Sequence, residues 1–315
     1  MNIVILDGYT TNPGDISWGA FEQLGDLTVY DYTAEEEICE RVKDADIIIS
    51  NKTVFSRETL KKITRAKYIG LISTGYNVVD VQAAADYGIT VTNAPGYSTD
   101  AVAQHTFALL LEMTNAVGLH NAAVHAGEWS DDRRFCFWRS PLHELSGKTL
   151  GIIGFGSIGS KVAEIARAFS MNVIYTSRTD KNSGFARFVS ADELFKTSDI
   201  ISLHCPLTDD TKEIINAETL SKMKNTAYII NTARGGLINA DDLFTALKYG
   251  KIAGAACDVM LHEPPEDNDP LISLQNFTVT PHIAWAAKET RIRLIDIAAK
   301  NLTAYLNGAP INKVN

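Results

Sequence analysis

The chain has 315 residues, which at roughly 100–200 residues per domain predicts about two domains and a sizeable core. Hydrophobic residues make up 45% and charged residues 21%, a balance that excludes a disordered or low-complexity chain. Lys and Arg number 29 against 38 Asp and Glu, a net charge of −9, and no basic cluster is present to meet nucleic acid or an anionic membrane, so neither is an expected partner.

The first residues, Met1-Asn2-Ile3-Val4-Ile5-Leu6-Asp7, have no basic n-region, and no later apolar run reaches the ~18 residues of a membrane span, so a cytoplasmic location is expected. Cys39, Cys136, Cys205 and Cys257 lie far apart without a CxxC pair. Neither a zinc ribbon nor a disulfide framework is indicated, and no metal site is expected.

Short β-branched runs at 3–6, 27–30, 46–49, 68–72 and 90–92 read as strands with helical spacers between them. Such near-continuous apolar strands imply a parallel sheet covered on both faces. A turn-rich stretch at 93–98 marks a domain boundary, and 99–126 reads as one helix with Val102, Phe107, Leu110, Leu111 and Thr114 at helical spacing. Residues 127–146 read as an extended arm whose aromatic residues, Phe135, Phe137 and Trp138, suit packing against a second copy, so a homodimer is expected. A second alternation begins at Thr149, with strands at 149–153, 172–175, 200–203, 227–230, 252–257 and 277–280. The last helix, 291–306, sets Ile292, Ile295, Ala298, Ala299 and Leu302 on one face and ends at Asn307-Gly308, a C-cap signal.

Gly154-Phe155-Gly156-Ser157-Ile158-Gly159 follows the strand at 149–153 and opens a helix with Val162, Ile165, Ala166 and Phe169 at helical spacing. In that context GxGxxG turns backbone amides and a helix dipole toward a pyrophosphate, so a dinucleotide cofactor is expected. An acid for the ribose 2′-hydroxyl should stand about 20 residues on. Ser177-Arg178 stands there instead, 177 − 159 = 18 positions after Gly159. A hydroxyl and a guanidinium suit a 2′-phosphate, which favours NADP(H) over NAD(H); Arg178 as a solvated turn residue of an NAD enzyme is the alternative.

Other polar residues follow predicted strand ends, where open α/β sheets bind ligands. Asn231-Thr232-Ala233-Arg234-Gly235-Gly236, Asp258 and Pro281-His282 do so in the second half, and Thr74-Gly75-Tyr76-Asn77, a candidate anion-binding nest, in the first. Singly, each has a plain structural reading. Together, Arg234, His282 and Glu263, which precedes Pro264-Pro265, supply a cation for a carboxylate, an imidazole for proton transfer and a carboxylate to orient it.

This ordered set resembles the D-isomer-specific 2-hydroxyacid dehydrogenases over essentially the whole chain. Pro281-His282-Ile283-Ala284-Trp285-Ala286, with Glu263-Pro264-Pro265 and Gln104-His105-Thr106-Phe107-Ala108, is most similar to their glycerate dehydrogenase (hydroxypyruvate reductase) branch. The resemblance implies hydride transfer between a nicotinamide cofactor and a small D-2-hydroxy acid or 2-oxo acid, first D-glycerate and hydroxypyruvate, with glyoxylate as well. Arg234 would bind the substrate carboxylate, helped by the backbone of Gly75, Tyr76 and Asn77, with Trp285 walling the pocket. His282 would be the acid and base, held and kept protonated by Glu263. Asp258 would meet the nicotinamide amide. Thr106, Gly154, Phe155, Gly156, Ser157, Ile158, Gly159, Ser177, Arg178, Cys205, Pro206, Thr232 and Ala233 would line the rest of the cofactor, with Arg234 and His282 beside it.

The implied fold is α/β: two doubly wound parallel-sheet domains, a Rossmann-type cofactor domain (99–291) inserted into a flavodoxin-like substrate domain (1–98 and 292–315). The last helix would return to pack on 1–98, and hinges near 95–100 and 287–292 would allow closure. A dehydrogenase of another 2-hydroxy acid, lactate or phosphoglycerate, is one alternative. A dinucleotide-sensing binding protein of the same fold is the other.

Overall fold

The first sheet is assembled from strands β1 (Asn2–Ile5), β2 (Asp26–Val29), β3 (Ile47–Ser50), β4 (Tyr68–Leu71) and β5 (Thr90–Thr92), all parallel, in the order β2-β1-β3-β4-β5. This is the flavodoxin-like order, whose reversal lies between β1 and β3. Alternation along β1 explains its unbroken apolar sequence. Ile3 and Ile5 face one core with Ile47, Ile49 and Tyr68. Val4 and Leu6 face another with Ile38, Leu60, Ala83 and Ala84.

A computed structural model of the chain describes residues 1–131 and 134–315; of the expected arm, 132 and 133 lie outside the described residues. The chain divides into two compact units, Met1–Ser98 with Trp285–Asn315, and Thr99–Ala284. The last helix, Lys288–Leu306, belongs to the first unit and lays Leu294, Ile295, Ala298 and Leu302 on the Ile3 and Ile5 face. The expected return at 291–292 is corrected to Trp285. The reason is local: Trp285 meets the ring of Tyr97 edge-on at 6.3 Å, and buried Arg291 forms a bidentate pair with Asp15 at 2.7 and 2.8 Å while donating to the carbonyl of Thr11.

The second sheet, also parallel, contains β6 (Thr149–Ile153), β7 (Asn172–Thr176), β8 (Arg187–Phe188), β9 (Ile200–Leu203), β10 (Tyr228–Asn231), β11 (Gly254–Cys257) and β12 (Phe277–Val279). Their order, β12-β11-β10-β9-β6-β7-β8, is doubly wound with its reversal between β6 and β9. Six of the seven strands match the sequence reading within two residues. The two-residue edge strand β8 was not anticipated, because exposed Arg187 and Phe188 show neither alternation nor an apolar run.

One helix reading is corrected. The expected helix at 99–126 is two, Thr99–Asn115 and Val117–His125, broken at Ala116, whose φ of 47° is left-handed. The Glu112 carboxylate accepts from the Gly118 amide and starts the second helix. No apolar period registers that break. Beyond it lies a short helix, Glu128–Asp131, where the reading gave only extended chain. Among the described residues, no helix is long and apolar enough to cross a membrane.

Candidate active site

The strand β6 ends at a turn that only glycine permits. Gly154 has φ 95°, and a Cβ there would stand 2.5 Å from the Cys205 nitrogen. At Gly159 a Cβ would stand 2.2 Å from the Gly154 carbonyl oxygen, so the first turn of the helix Ser157–Ala168 sits directly on the strand end. Gly156 differs: a Cβ there meets nothing of the chain within 4 Å. The space beside it is open. The amides of Ser157, Ile158 and Gly159 precede the first bond of the helix, Ser160 N to Gly156 O at 2.9 Å, and remain available to a phosphate. These residues fit a dinucleotide pyrophosphate. Phe155 contributes by its backbone, since its ring is buried and stacked on Tyr175 at 3.9 Å.

At the end of β7, the Ser177 hydroxyl donates to the Thr179 carbonyl at 2.6 Å, and exposed Arg178 has no carboxylate partner among the described residues. The nearby acid, Asp180, accepts from the Tyr175 hydroxyl at 2.5 Å and the Asn182 amide at 2.8 Å, which hold its carboxyl below the usual carboxylate range. After β9, His204 and Cys205 lie behind Gly154, burial pushes the Cys205 thiol up, and exposed Pro206 accepts from Thr211 at 2.6 Å.

The Arg234 turn is shaped by Asn231, fully buried at the end of β10. Its amide donates to the Arg234 carbonyl at 2.9 Å and its oxygen accepts from the Ala233 amide at 3.0 Å. Thr232 meets Thr106 of the helix Thr99–Asn115, hydroxyl to hydroxyl at 3.2 Å. The Arg234 side chain is exposed, makes one bond to its neighbour's carbonyl, Ala233 O at 2.6 Å, and is left with donors for a carboxylate. Gly235 then passes so close to the next loop that a Cβ would lie 2.0 Å from the Met260 carbonyl oxygen.

That loop carries Glu263. One of its carboxylate oxygens accepts from the Met260 amide at 2.9 Å and the other meets His282 Nδ1 at 2.7 Å. A carboxylate accepts only, so Nδ1 carries a proton and Nε2 is the atom free to give or take one. His282 itself stands at a left-handed φ of 55° in a tight turn closed by its own amide on the Thr280 carbonyl at 2.9 Å.

Asp258 has a structural part to play whatever it meets in the cofactor. Its carboxylate is buried and turned to the chain: Oδ1 accepts from Thr280 at 2.6 Å and the Ile283 amide at 2.9 Å, and Oδ2 from the Ala284 amide at 2.8 Å. Burial alone would raise its pKa, but the hydrogen bonds from His105, Thr280 and the two amides outweigh it and hold the group below the usual value. Asp258 therefore braces the turn on both sides of His282, and Oδ2, with the Ala284 amide as its one donor among the described residues, keeps a lone pair for a further donor. Asn231 and His105 are the residues the sequence reading left without roles.

Gly75, Tyr76, Asn77 and Trp285 belong to the first unit. After β4, Ser73 donates to the Gly75 carbonyl at 2.7 Å and Asn93 to that of Thr74 at 2.7 Å, fixing a turn in which the amides of Gly75, Tyr76 and Asn77 find no acceptor among the described residues. Trp285 is half-buried against Tyr97.

A glycine-rich dinucleotide turn joined to an arginine, a glutamate and a histidine on the loops after β10, β11 and β12 defines a nicotinamide-dependent oxidoreductase site. Residues 107–284 match the model of the D-isomer specific 2-hydroxyacid dehydrogenase NAD-binding domain, and the chain belongs to that family. It is 47% identical to a hydroxypyruvate reductase of Blautia hydrogenotrophica, over 100% of both chains. It is 40% identical to a glycerate dehydrogenase of Methylorubrum extorquens, over 89% of this chain and 88% of the relative. Among solved structures, an acyclic imino acid reductase in complex with NADPH and D-Arg superposes with a TM-score of 0.87 at 35% identity, covering 100% of each chain.

Proposed function

We propose that the protein interconverts hydroxypyruvate and D-glycerate, and reduces glyoxylate, with NADP(H) favoured over NAD(H). The observation that carries this reading is His282 held at Nδ1 by Glu263, which leaves Nε2 as the ring nitrogen for proton transfer. The Gly154–Gly159 turn would hold the pyrophosphate of a nicotinamide dinucleotide, which would supply the hydride for C2 of the oxo acid. Arg234 binds the substrate carboxylate through its unbonded guanidinium nitrogens, and Gly75, Tyr76 and Asn77 offer amides to the same group. His282 Nε2 gives its proton to the carbonyl oxygen as C2 is reduced, leaving neutral imidazole. In oxidation it takes that proton back from the hydroxyl. Glu263 keeps the ring oriented throughout. The substrate assignment is supported by the hydroxypyruvate reductase and glycerate dehydrogenase relatives. NADP(H) is supported by Arg178 and by the neighbour solved with NADPH.

A homodimer is part of this reading, supported by apolar side chains that the single chain leaves uncovered, among them Val117, Leu119, Phe135 and Trp138. Four free cysteines suit a reducing cytoplasm. The test is reduced-nicotinamide absorbance with hydroxypyruvate, glyoxylate and pyruvate, each against NADH and NADPH. Fastest turnover of hydroxypyruvate, with NADPH ahead, is the expected result. Cofactor binding without turnover of these three oxo acids overturns it and leaves a dehydrogenase of another oxo acid or a dinucleotide-sensing protein.

A further inference from the structure

Beneath the His282 turn lies a polar cluster, Asp258 buried and His105 and Thr280 half-buried, that the chemistry above does not use. His105, on the helix Thr99–Asn115, places Nε2 3.0 Å from the Thr280 hydroxyl and 3.5 Å from Asp258 Oδ1. Thr280 has a single hydroxyl proton, and its 2.6 Å contact with the acceptor-only Asp258 carboxylate takes it. The contact with His105 therefore needs a proton on His105 Nε2, with the Thr280 oxygen accepting. The chain of donors runs one way: His105 to Thr280, Thr280 to Asp258. Asp258 then accepts the Ile283 and Ala284 amides that follow His282. Thr280, two residues before His282, also closes the turn through its carbonyl.

We infer that His105 is a positioning residue for His282, acting through Thr280 and Asp258. It rests on the reading of His282 as the acid and base. A left-handed histidine in a tight turn has little of its own to fix where Nε2 points. The Glu263 contact fixes one ring nitrogen, and the Asp258 brace fixes the backbone from which the ring projects. Without the Nε2 proton of His105, the Thr280 hydroxyl can rotate away from Asp258, and one anchor of the brace is lost. Because His105 stands on the helix Thr99–Asn115, this route ties the reacting histidine to a residue far from it in sequence.

The experiment compares His105→Ala, His105→Gln and Thr280→Val with the full-length wild-type enzyme, with His282→Ala as reference. Steady-state kcat and KM are measured for oxo acid and cofactor, with cofactor Kd from nicotinamide fluorescence. Gln carries a donor near the position of Nε2. His105→Ala is expected to lower kcat by ~10–100-fold, the scale of a misplaced catalytic group, with cofactor Kd within about threefold. His105→Gln should restore most of that loss, and Thr280→Val should reproduce it. A kcat within twofold of wild type in both His105→Ala and Thr280→Val overturns the inference while the role of His282 stands. So does a loss in His105→Gln as deep as in His105→Ala, which would mark a packing effect. His282→Ala with retained turnover is a different failure, that of the acid and base assignment itself. Should His105→Ala not fold, the pair Thr280→Val and Thr280→Ser decides, since serine restores the hydroxyl.

Discussion

Arg178 and Asp180 stand two positions apart beyond β7, and their surroundings give them opposite tasks. Asp180 is bound to the Tyr175 hydroxyl and the Asn182 amide, so the acid that could repel a 2′-phosphate is turned to the chain. Arg178 has no carboxylate to neutralise it among the described residues. Arg178→Ala should therefore weaken NADPH at least ~10-fold while changing NADH by less than about twofold, the loss of one charge-assisted contact to phosphate. Fluorescence titration of both cofactors checks it, and equal losses would return Arg178 to the role of a solvated turn residue. The sequence showed that an acid was missing at 177 and 178, but not that Asp180 is occupied, because that depends on where the Tyr175 hydroxyl points. The bracing part of Asp258 was hidden for a similar reason. Its position after β11 was legible, but its partners at 280, 283 and 284 depend on how the chain folds back past His282.

At the scale of elements, the loops after β10 and β11 form one assembly because a glycine stands where they touch. Gly235 leaves no room for a Cβ, which would lie 2.0 Å from the Met260 carbonyl oxygen, and the Met260 amide is in turn bound to Glu263. Gly235→Ala should push these loops apart, costing about 1–3 kcal/mol of stability as overpacking does. It should also lower kcat more than it changes cofactor affinity, since Glu263 orients His282. Chemical denaturation followed by kinetics on the folded fraction measures both; unchanged kcat would mean the loops move without disturbing Glu263. His204, just past β9, gives its element a pH dependence. Burial pulls its pKa from 6.5 down to about 4, and Ser202 meets its Nε2 at 2.8 Å. The unfolded chain takes up this proton as pH falls through ~6.5 whereas the folded chain resists it until about 4, so stability is full above that range and is lost downward through it. Between pH 7 and pH 5 the loss from this residue is roughly 2 kcal/mol. His204→Gln should flatten that part of the stability curve. Strand positions other than the exposed edge strand β8 were legible because buried parallel strands are almost uniformly apolar. The break at Ala116 was not, since a left-handed alanine leaves no mark on the apolar period.

At the scale of the whole chain, the division into two units followed from the two strand runs and the unpaired last helix. The point of return did not, because it is fixed by Arg291 meeting Asp15, residues 276 positions apart with no pattern between them. What the single chain leaves unexplained is its uncovered apolar surface. Val117 is 63% exposed and Leu119 48% on the helix Val117–His125, and beyond it Trp138 is 67% and Phe135 93% exposed. A helix that exposes its larger apolar residues gains nothing from water, whereas a partner's matching face would bury them on both sides at once. Stable dimers commonly bury about 800 Å² per partner. The local contacts hold that surface in shape: the Arg139 amide donates to His120 Nε2 at 3.0 Å, and Arg139 pairs with Glu128. Sedimentation equilibrium at micromolar concentration should give twice the chain mass. Val117→Glu combined with Leu119→Glu should give the single-chain mass with the circular dichroism unchanged, because both side chains are solvent-exposed in the lone chain and carry no part of its core. A wild-type protein that sediments as one chain would remove the dimer and leave the apolar face to some other partner.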